Sequence, residues 1–397
     1  MSSQDANGSG ILRYLTGRSQ TIFLLVCMTM PLFYVLLDSY QIDFRAFYVA
    51  AASASKHLDP YVDNRASGEQ FTDPTSQLQS SRLVYPPSAL AFFAPFAKLR
   101  YTPARLIFGL MSLGSLAWVL LYLSGRFEVA DAWVIAAYVS IPVMACIERG
   151  QVDLLILFLL VLSYAGGRRF WVGIPLGVAI SVKIFPAAIL LWLLLERRFR
   201  DAVIACGVSL AIVFLSAWHY GSVGYIEFWR NLADLAPGQQ PPQTVDLVHK
   251  LGGVVVDDRW LALTHGFIGS YNNPLILLGS AGIIAGTLCV AAIALWLRFK
   301  RVSPEIGFFT IVLASQLINT RLWTMGMVMY LPICIVAMGK ARSVGLTCWL
   351  MLPLFLPSQI RLFGVSPRLI LALAIVAYAI QRGIESRSPA IPGEQRA

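Results

Sequence analysis

The sequence predicts an all-α polytopic membrane protein, and three observations carry that prediction. Hydrophobic residues make up 57% of the chain and charged residues only 13%, a balance that soluble domains do not show. Apolar runs recur along the whole length on the scale of the ~20 residues that span a bilayer as a helix. The basic residues behind the net charge of +10 gather at the ends of those runs, where orientation signals sit, so nucleic-acid binding is not expected.

In chain order the apolar segments are 20–38, a short 86–97, 104–124, 132–147, 153–167, 171–182, 184–196, 201–217, 274–297, 306–320, 322–339, 343–357 and 366–381. Several are too short for a full span and are interrupted by polar motifs, the pattern of broken or half-inserted helices that line a cavity. The division expected is a polar tail at 1–19, a transmembrane domain over 20–381 and a second polar tail at 382–397. The run after residue 20 shows no small-residue cleavage site and reads as an uncleaved first span. With the N-terminus cytoplasmic and 86–97 dipping in without crossing, the basic clusters at Arg126, Arg168/Arg169, Arg197/Arg198/Arg200, Arg298/Lys300/Arg301, Lys340/Arg342 and Arg382/Arg387 all stay inside, while Lys98, Arg100 and Arg105 are the exception and fall on the outer side. About twelve crossings result.

That threading brings five polar places to the outer face: the stretch 43–87, the turn ERGQV at 148–152, Lys183, the loop 218–273 and the passage 319–323. Two extracytoplasmic loops are expected, at 39–85 and 218–273, the second holding Trp218, His219, Tyr225, Phe228, Trp229 and Trp260 as interfacial aromatics. The stretch 43–87 carries Asp43, Arg45, Asp59, Asp63, Arg65, Glu69, Asp73 and Arg82, and belongs in water or at the membrane surface. Within DFRAFYVAAASA, the residues Phe44, Phe47, Tyr48 and Ala51 fall at helical spacing and predict a helix lying flat on the bilayer surface.

Chemistry concentrates in a few side chains. Asp43 opens that helix, as its N-cap or as a catalytic carboxylate, two roles one residue can combine. Lys183, in AISVKIFPAAIL, has apolar residues on both sides, so its ammonium is expensive unless it meets an anion. Arg321 sits between two apolar segments, as an anion ligand or as a loop arginine. Arg149 and Gln151 can donate to a sugar or phosphate or stabilise their turn. Tyr48, Tyr85 and Trp323 complete the candidate substrate-binding set. All six cysteines lie in apolar runs and are expected to be buried packing residues. There is no P-loop, no GxGxxG after a strand, no HExxH and no cluster of oxygen ligands; neither a metal nor an organic cofactor is indicated.

The succession DFRAFYVAA, DPY at 59–61, YPP at 85–87 with PF at 95–96, GQ at 150–151, and VKIFP at 182–186 followed by ERRFRDA resembles glycosyltransferase family 87 of the GT-C superfamily. The resemblance covers residues 20 to about 340. It implies a GT-C type fold and an inverting transfer of a hexose, mannose first, from a polyprenyl-phosphate carrier to an extracytoplasmic lipid or glycan acceptor. It implies Asp43 as general base and a bacterial inner-membrane location among membrane lipids; a monomer is expected. The chain departs from the family pattern in NTRLWTMGMVMYLP, where Met325 and Gly326 follow Trp323 in place of a histidine, and in GQQPPQTV at 238–245. A multi-pass transporter or lipid-linked sugar flippase is the competing expectation, and an accessory protein a third.

Overall fold

The structure, a computed structural model, describes residues 19–38, 41–61, 83–167, 169–221, 223–234, 270–272, 281–319, 321–341, 344–356 and 367–385. Among these the chain is helical apart from one pair of three-residue strands. The tails expected at 1–19 and 382–397, the charged residues Asp63, Arg65, Glu69, Asp73 and Arg82, and most of the loop 218–273 with Trp260 lie largely outside them.

Among the described residues, five helices are long and apolar enough to cross a membrane: Ser19–Leu37, Tyr101–Phe127, Asp131–Arg149, Phe199–Tyr220 and Ala281–Phe299. The rest of the hydrophobic chain is in shorter pieces, as the polar interruptions require. Helix α1 (Ser19–Asp38) leads to α2 (Ile42–Ser55), α3 (Ser88–Ala97) and α4 (Tyr101–Phe127). Ten residues make α3 only about 15 Å long, half the ~30 Å of a bilayer's hydrocarbon core. The next span breaks at Val139 and Ser140 into α5 (Asp131–Tyr138) and α6 (Ile141–Arg149), and α7 (Asp153–Ala165) follows at once.

The apolar pair after Arg169 is α8 (Gly173–Val182) and α9 (Ala188–Leu195), separated by Lys183, Ile184 and a single 3-10 turn at Phe185–Ala187 that Pro186 starts. Then come α10 (Phe199–Tyr220) and α11 (Val223–Asp234). Trp218 and His219 therefore lie in the last turn of a long helix, and Tyr225, Phe228 and Trp229 sit on the next helix, where a loop is expected. After α12 (Ala281–Phe299) and α13 (Pro304–Ala314) the chain turns through 3-10 segments Ser315–Ile318 and Thr324–Tyr330 into α14 (Leu331–Lys340), α15 (Val344–Phe355) and α16 (Pro367–Glu385). The strands are β1 (Ser270–Asn272) and β2 (Arg321–Trp323), antiparallel with Asn272 opposite Arg321.

Helix α2 does not lie on the bilayer. Phe44, Phe47, Tyr48 and Ala51 are buried, as is Arg45, because α3 and α4 wrap the helix with aromatic rings. Phe47 stacks on Phe93 at 4.2 Å between centroids, and Phe44 meets Phe108 at 4.8 Å. The spacing that looked interfacial is the inner half of a helix covered on every face. The cysteines divide similarly: Cys146 and Cys334 are buried, whereas Cys206, Cys289 and Cys348 face outward on apolar helices.

Candidate active site

The site is built on the end of α6. Gly150 takes the left-handed conformation at φ 65°, which lets Gln151 N–H reach the Cys146 carbonyl at 2.9 Å and Gly150 N–H reach that of Ile147 at 3.2 Å. This closure stops the helix and throws Arg149, Gln151 and Asp153 to one side within five residues. A Cβ at position 150 would lie 2.6 Å from the Cβ of Phe44, so the turn also carries α2 in close contact.

Helix α2 starts from Gln41, itself left-handed at φ 45°. A non-glycine residue holds this conformation when its surroundings over-determine it. Here the Gln41 side-chain NH2 donates to the Ile147 carbonyl at 3.3 Å, while the Gln41 backbone carbonyl accepts from Arg45 N–H at 2.9 Å. Asp43 is therefore in the first turn and is not the N-cap. It lies near the positive end of the helix dipole, and the residue is half-buried.

Tyr85 joins the two halves. The DPY turn folds so that Tyr61 N–H donates to Asp59 Oδ1 at 2.8 Å, and the Tyr61 hydroxyl then donates to the Tyr85 carbonyl at 2.9 Å. The Tyr85 ring packs on Phe47 at 4.6 Å. Ser88 Oγ donates to the Ser181 carbonyl, tying YPPS to the end of α8 two residues before Lys183. So placed, the Tyr85 hydroxyl donates to Gln151 Oε1 at 2.8 Å, and Gln151 Nε2 donates to Asp43 Oδ2 at 2.7 Å. The relay fixes the amide's orientation, since the carbonyl end is claimed by a donor and the NH2 end by a carboxylate.

Lys183 closes the set. Its Nζ lies 2.6 Å from Asp153 Oδ1, 5.2 Å from the Tyr85 ring centroid and 5.8 Å from that of Phe185. Asp153, at the first position of α7, is 3% exposed. The anion that makes a buried lysine tolerable is thus supplied first by the protein. Arg149 contacts Glu148 at 3.3 Å as an ion pair without an aligned hydrogen bond.

Burial pushes the Asp43 carboxyl above the ordinary carboxylate value. The Arg149 guanidinium, the Gln151 hydrogen bond and the Lys183 ammonium pull it back down, and Asp153 pushes it up. Burial likewise drives the Tyr85 hydroxyl up, so it remains a proton donor in this relay.

Five of the eight sequence candidates, Asp43, Tyr85, Arg149, Gln151 and Lys183, meet here. Tyr48 does not join them: its hydroxyl donates to the Leu99 carbonyl at 2.7 Å and its ring packs on Tyr101. Arg321 and Trp323 lie on β2, and their side chains fall outside the described residues. The 3-10 segment after β2 rests on α6, where Cys146 Sγ donates to the Met325 carbonyl at 3.7 Å, and the one before it packs against Phe185–Ala187. The passage from 315 to 325 therefore bridges the Lys183 and Asp43 sides. Asp153 and Gln41 were not anticipated. Asp153 had a signal, an acid opening an apolar run in a chain with a buried lysine to neutralise; nothing in a glutamine announces a left-handed backbone.

The model of glycosyltransferase family 87 matches residues 83–338. The chain belongs to glycosyltransferase family 87. The match includes Tyr85, Arg149, Gln151, Asp153 and Lys183, while Asp43 precedes it. This family 87 chain is 26% identical over 257 residues to a polyprenol-phosphate-mannose-dependent alpha-(1-2)-phosphatidylinositol pentamannoside mannosyltransferase of Mycolicibacterium smegmatis, covering 63% of this chain and 59% of that one. It is 24% identical over 294 residues to a polyprenol-phosphate-mannose-dependent alpha-(1-2)-phosphatidylinositol mannoside mannosyltransferase of Mycobacterium tuberculosis, covering 67% and 62%. The chain thus spans about three fifths of the length of the curated relatives it matches. No solved structure matches it.

Proposed function

We propose that this family 87 protein is an inverting glycosyltransferase that moves a hexose, mannose first, from a polyprenyl-phosphate carrier to a lipid or glycan acceptor. The observation that carries the reading is Asp43, one oxygen held by Gln151 and the other without a hydrogen bond among the described residues, together with a lysine steadied by Asp153. A lipid phosphate leaves readily at neutral pH, so the reaction asks for groups that hold developing negative charge and for one base that takes the acceptor's proton. Lys183 and Arg149 suit the first task and Asp43 the second, with Arg321 proposed as a further cation from the bridging passage. The relatives' dependence on polyprenol-phosphate-mannose supports the donor class.

The reaction is proposed for the outer face of a bacterial plasma membrane, with the protein acting as a monomer. The far end of α7 from Asp153 meets Arg198, whose guanidinium donates to the Gly167 carbonyl, and Arg298 Nε donates to the Leu195 carbonyl at the far end of α9 from Lys183. These two basic ends, at Arg198 and Arg298, lie at the far ends of α7 and α9 from the site, which supports the outer-face reading, while Arg105 lies on the site's side. A transporter or flippase gains no support from the family.

The test is a donor panel. Membranes containing the protein receive polyprenyl phosphates carrying labelled mannose, glucose or arabinose, with matched membranes lacking it. Mannose incorporation into lipid or glycan supports the reading, incorporation of another sugar revises the donor, and none from any donor rejects it.

A further inference from the structure

We propose that Asp153 is a positioning residue whose carboxylate keeps the Lys183 ammonium away from Asp43, so that cation and base stay apart. The inference deepens the transfer reading, which supplies only what would enter between them, the phosphate of the donor.

Lysine carries its charge on a flexible four-carbon stem. Lys183 follows the last turn of α8 in extended conformation, so its side chain departs at the break and reaches Asp153 beside the Tyr85 and Phe185 rings. From Nζ, the Tyr85 ring is 5.2 Å away, and the Tyr85 hydroxyl and Gln151 amide lead on to Asp43. Asp153 holds this one ammonium, and Asp43 is near enough to feel its charge. Asp153 takes it at 2.6 Å, and being the more enclosed has the greater need of it. A lysine released from Asp153 has Asp43 as its next anionic partner. Paired there, it would tie up the oxygen left to accept the acceptor's proton and remove the cation from the phosphate side.

The ionisable groups around Asp43 come from the surrounding elements. Cys146, Glu148 and Arg149 stand on α6, Tyr85 precedes α3, and Lys183 and Asp153 complete the ring. Helix α3 carries none, α2 itself carries Arg45 and Tyr48, and the near end of α4 carries Tyr101 and Arg105, the latter directed to the Leu37 carbonyl. The Asp153 charge raises the affinity of Asp43 for its proton and the Lys183 charge lowers it.

The experiment reads the ionisation of Asp43 without any substrate. In the full chain in lipid nanodiscs, the carboxyl infrared band that Asp43→Asn removes is titrated with pH in wild type, Asp153→Asn, Lys183→Met and the double variant. Asp153→Asn is expected to lower the midpoint by about one pH unit or more, as the lysine closes on Asp43. In the Lys183→Met background the same change is expected to have less than half that effect. Asp153→Glu, which keeps the charge and is the second arm should the asparagine variant not accumulate, should leave the midpoint near wild type. An unmoved midpoint in Asp153→Asn, an equal shift in both backgrounds, or a large drop in Asp153→Glu overturns the proposal. Because no sugar donor is involved, failure of transfer in the donor panel would reject the function and leave this result standing.

Discussion

Gln151 Nε2 donates to Asp43 Oδ2 at 2.7 Å, and that single bond spans 108 positions of sequence to join the turn after α6 to the first turn of α2. It holds one oxygen of the carboxylate, and the second is the one proposed to take the acceptor's proton. Replacing the amide by a carboxylate, Gln151→Glu, removes the donor and sets two anions side by side. The Asp43 affinity for its proton rises, and kcat/KM at neutral pH is expected to fall roughly 10-fold or more, with the loss partly recovered at higher pH. A pH series on the variant checks this.

The pH dependence of the wild type follows from the same carboxyl. Burial raises its folded-state value above that of the unfolded chain, so ionisation of Asp43 costs stability as pH rises through the folded value. Under the proposed role of Asp43 as base, activity runs the other way: the carboxyl must be ionised, and the acid limb of kcat/KM is expected above the ordinary carboxylate value. Arg149 lowers the Asp43 value. Arg149→Gln is therefore expected to move the limb to still higher pH, measured as the shift of the limb's midpoint.

Tyr85 has two separable tasks. Tyr85→Phe keeps the ring beside Lys183 and removes the hydroxyl that orients Gln151. The expected loss in kcat/KM is modest, on the order of 10-fold, from an amide free to flip. Tyr85→Leu removes ring and hydroxyl together and is expected to lose more, chiefly in donor KM. Equal kinetics for the two variants would assign the ring no part.

Gly150 is where sequence, backbone and site meet. An alanine there must hold φ near 65° and place its Cβ 2.6 Å from that of Phe44. The left-handed backbone alone costs about 1–2 kcal/mol, with crowding in addition. Gly150→Ala is expected to lower the thermal unfolding midpoint in detergent and to reduce activity as α2 moves off α6.

Much of this was legible beforehand. The apolar runs marked the helices because a bilayer demands both length and internal hydrogen bonding. The polar interruptions marked the site because charge within such runs needs a reason. Asp43, Tyr85, Arg149, Gln151 and Lys183 could be named as candidates, and their convergence anticipated, from the orientation of the spans. What stayed hidden depends on partners distant in sequence. The spacing of Phe44, Phe47 and Tyr48 showed an apolar side to α2, but periodicity cannot say whether lipid or Phe93 and Phe108 covers it. Lys183 announced that it required an anion, and only the fold brings Asp153 to it.

The most direct test of the central claim compares wild type with Asp43→Asn, purified in nanodiscs, in a single turnover with labelled polyprenyl-phosphate-mannose and an acceptor lipid extract. Asp43→Asn is expected to bind the donor as wild type does and to transfer its sugar roughly 10²- to 10⁴-fold more slowly. Transfer at the wild-type rate would contradict the account, because the carboxylate around which Gln151, Tyr85 and Lys183 are arranged would then have no part in moving the proton.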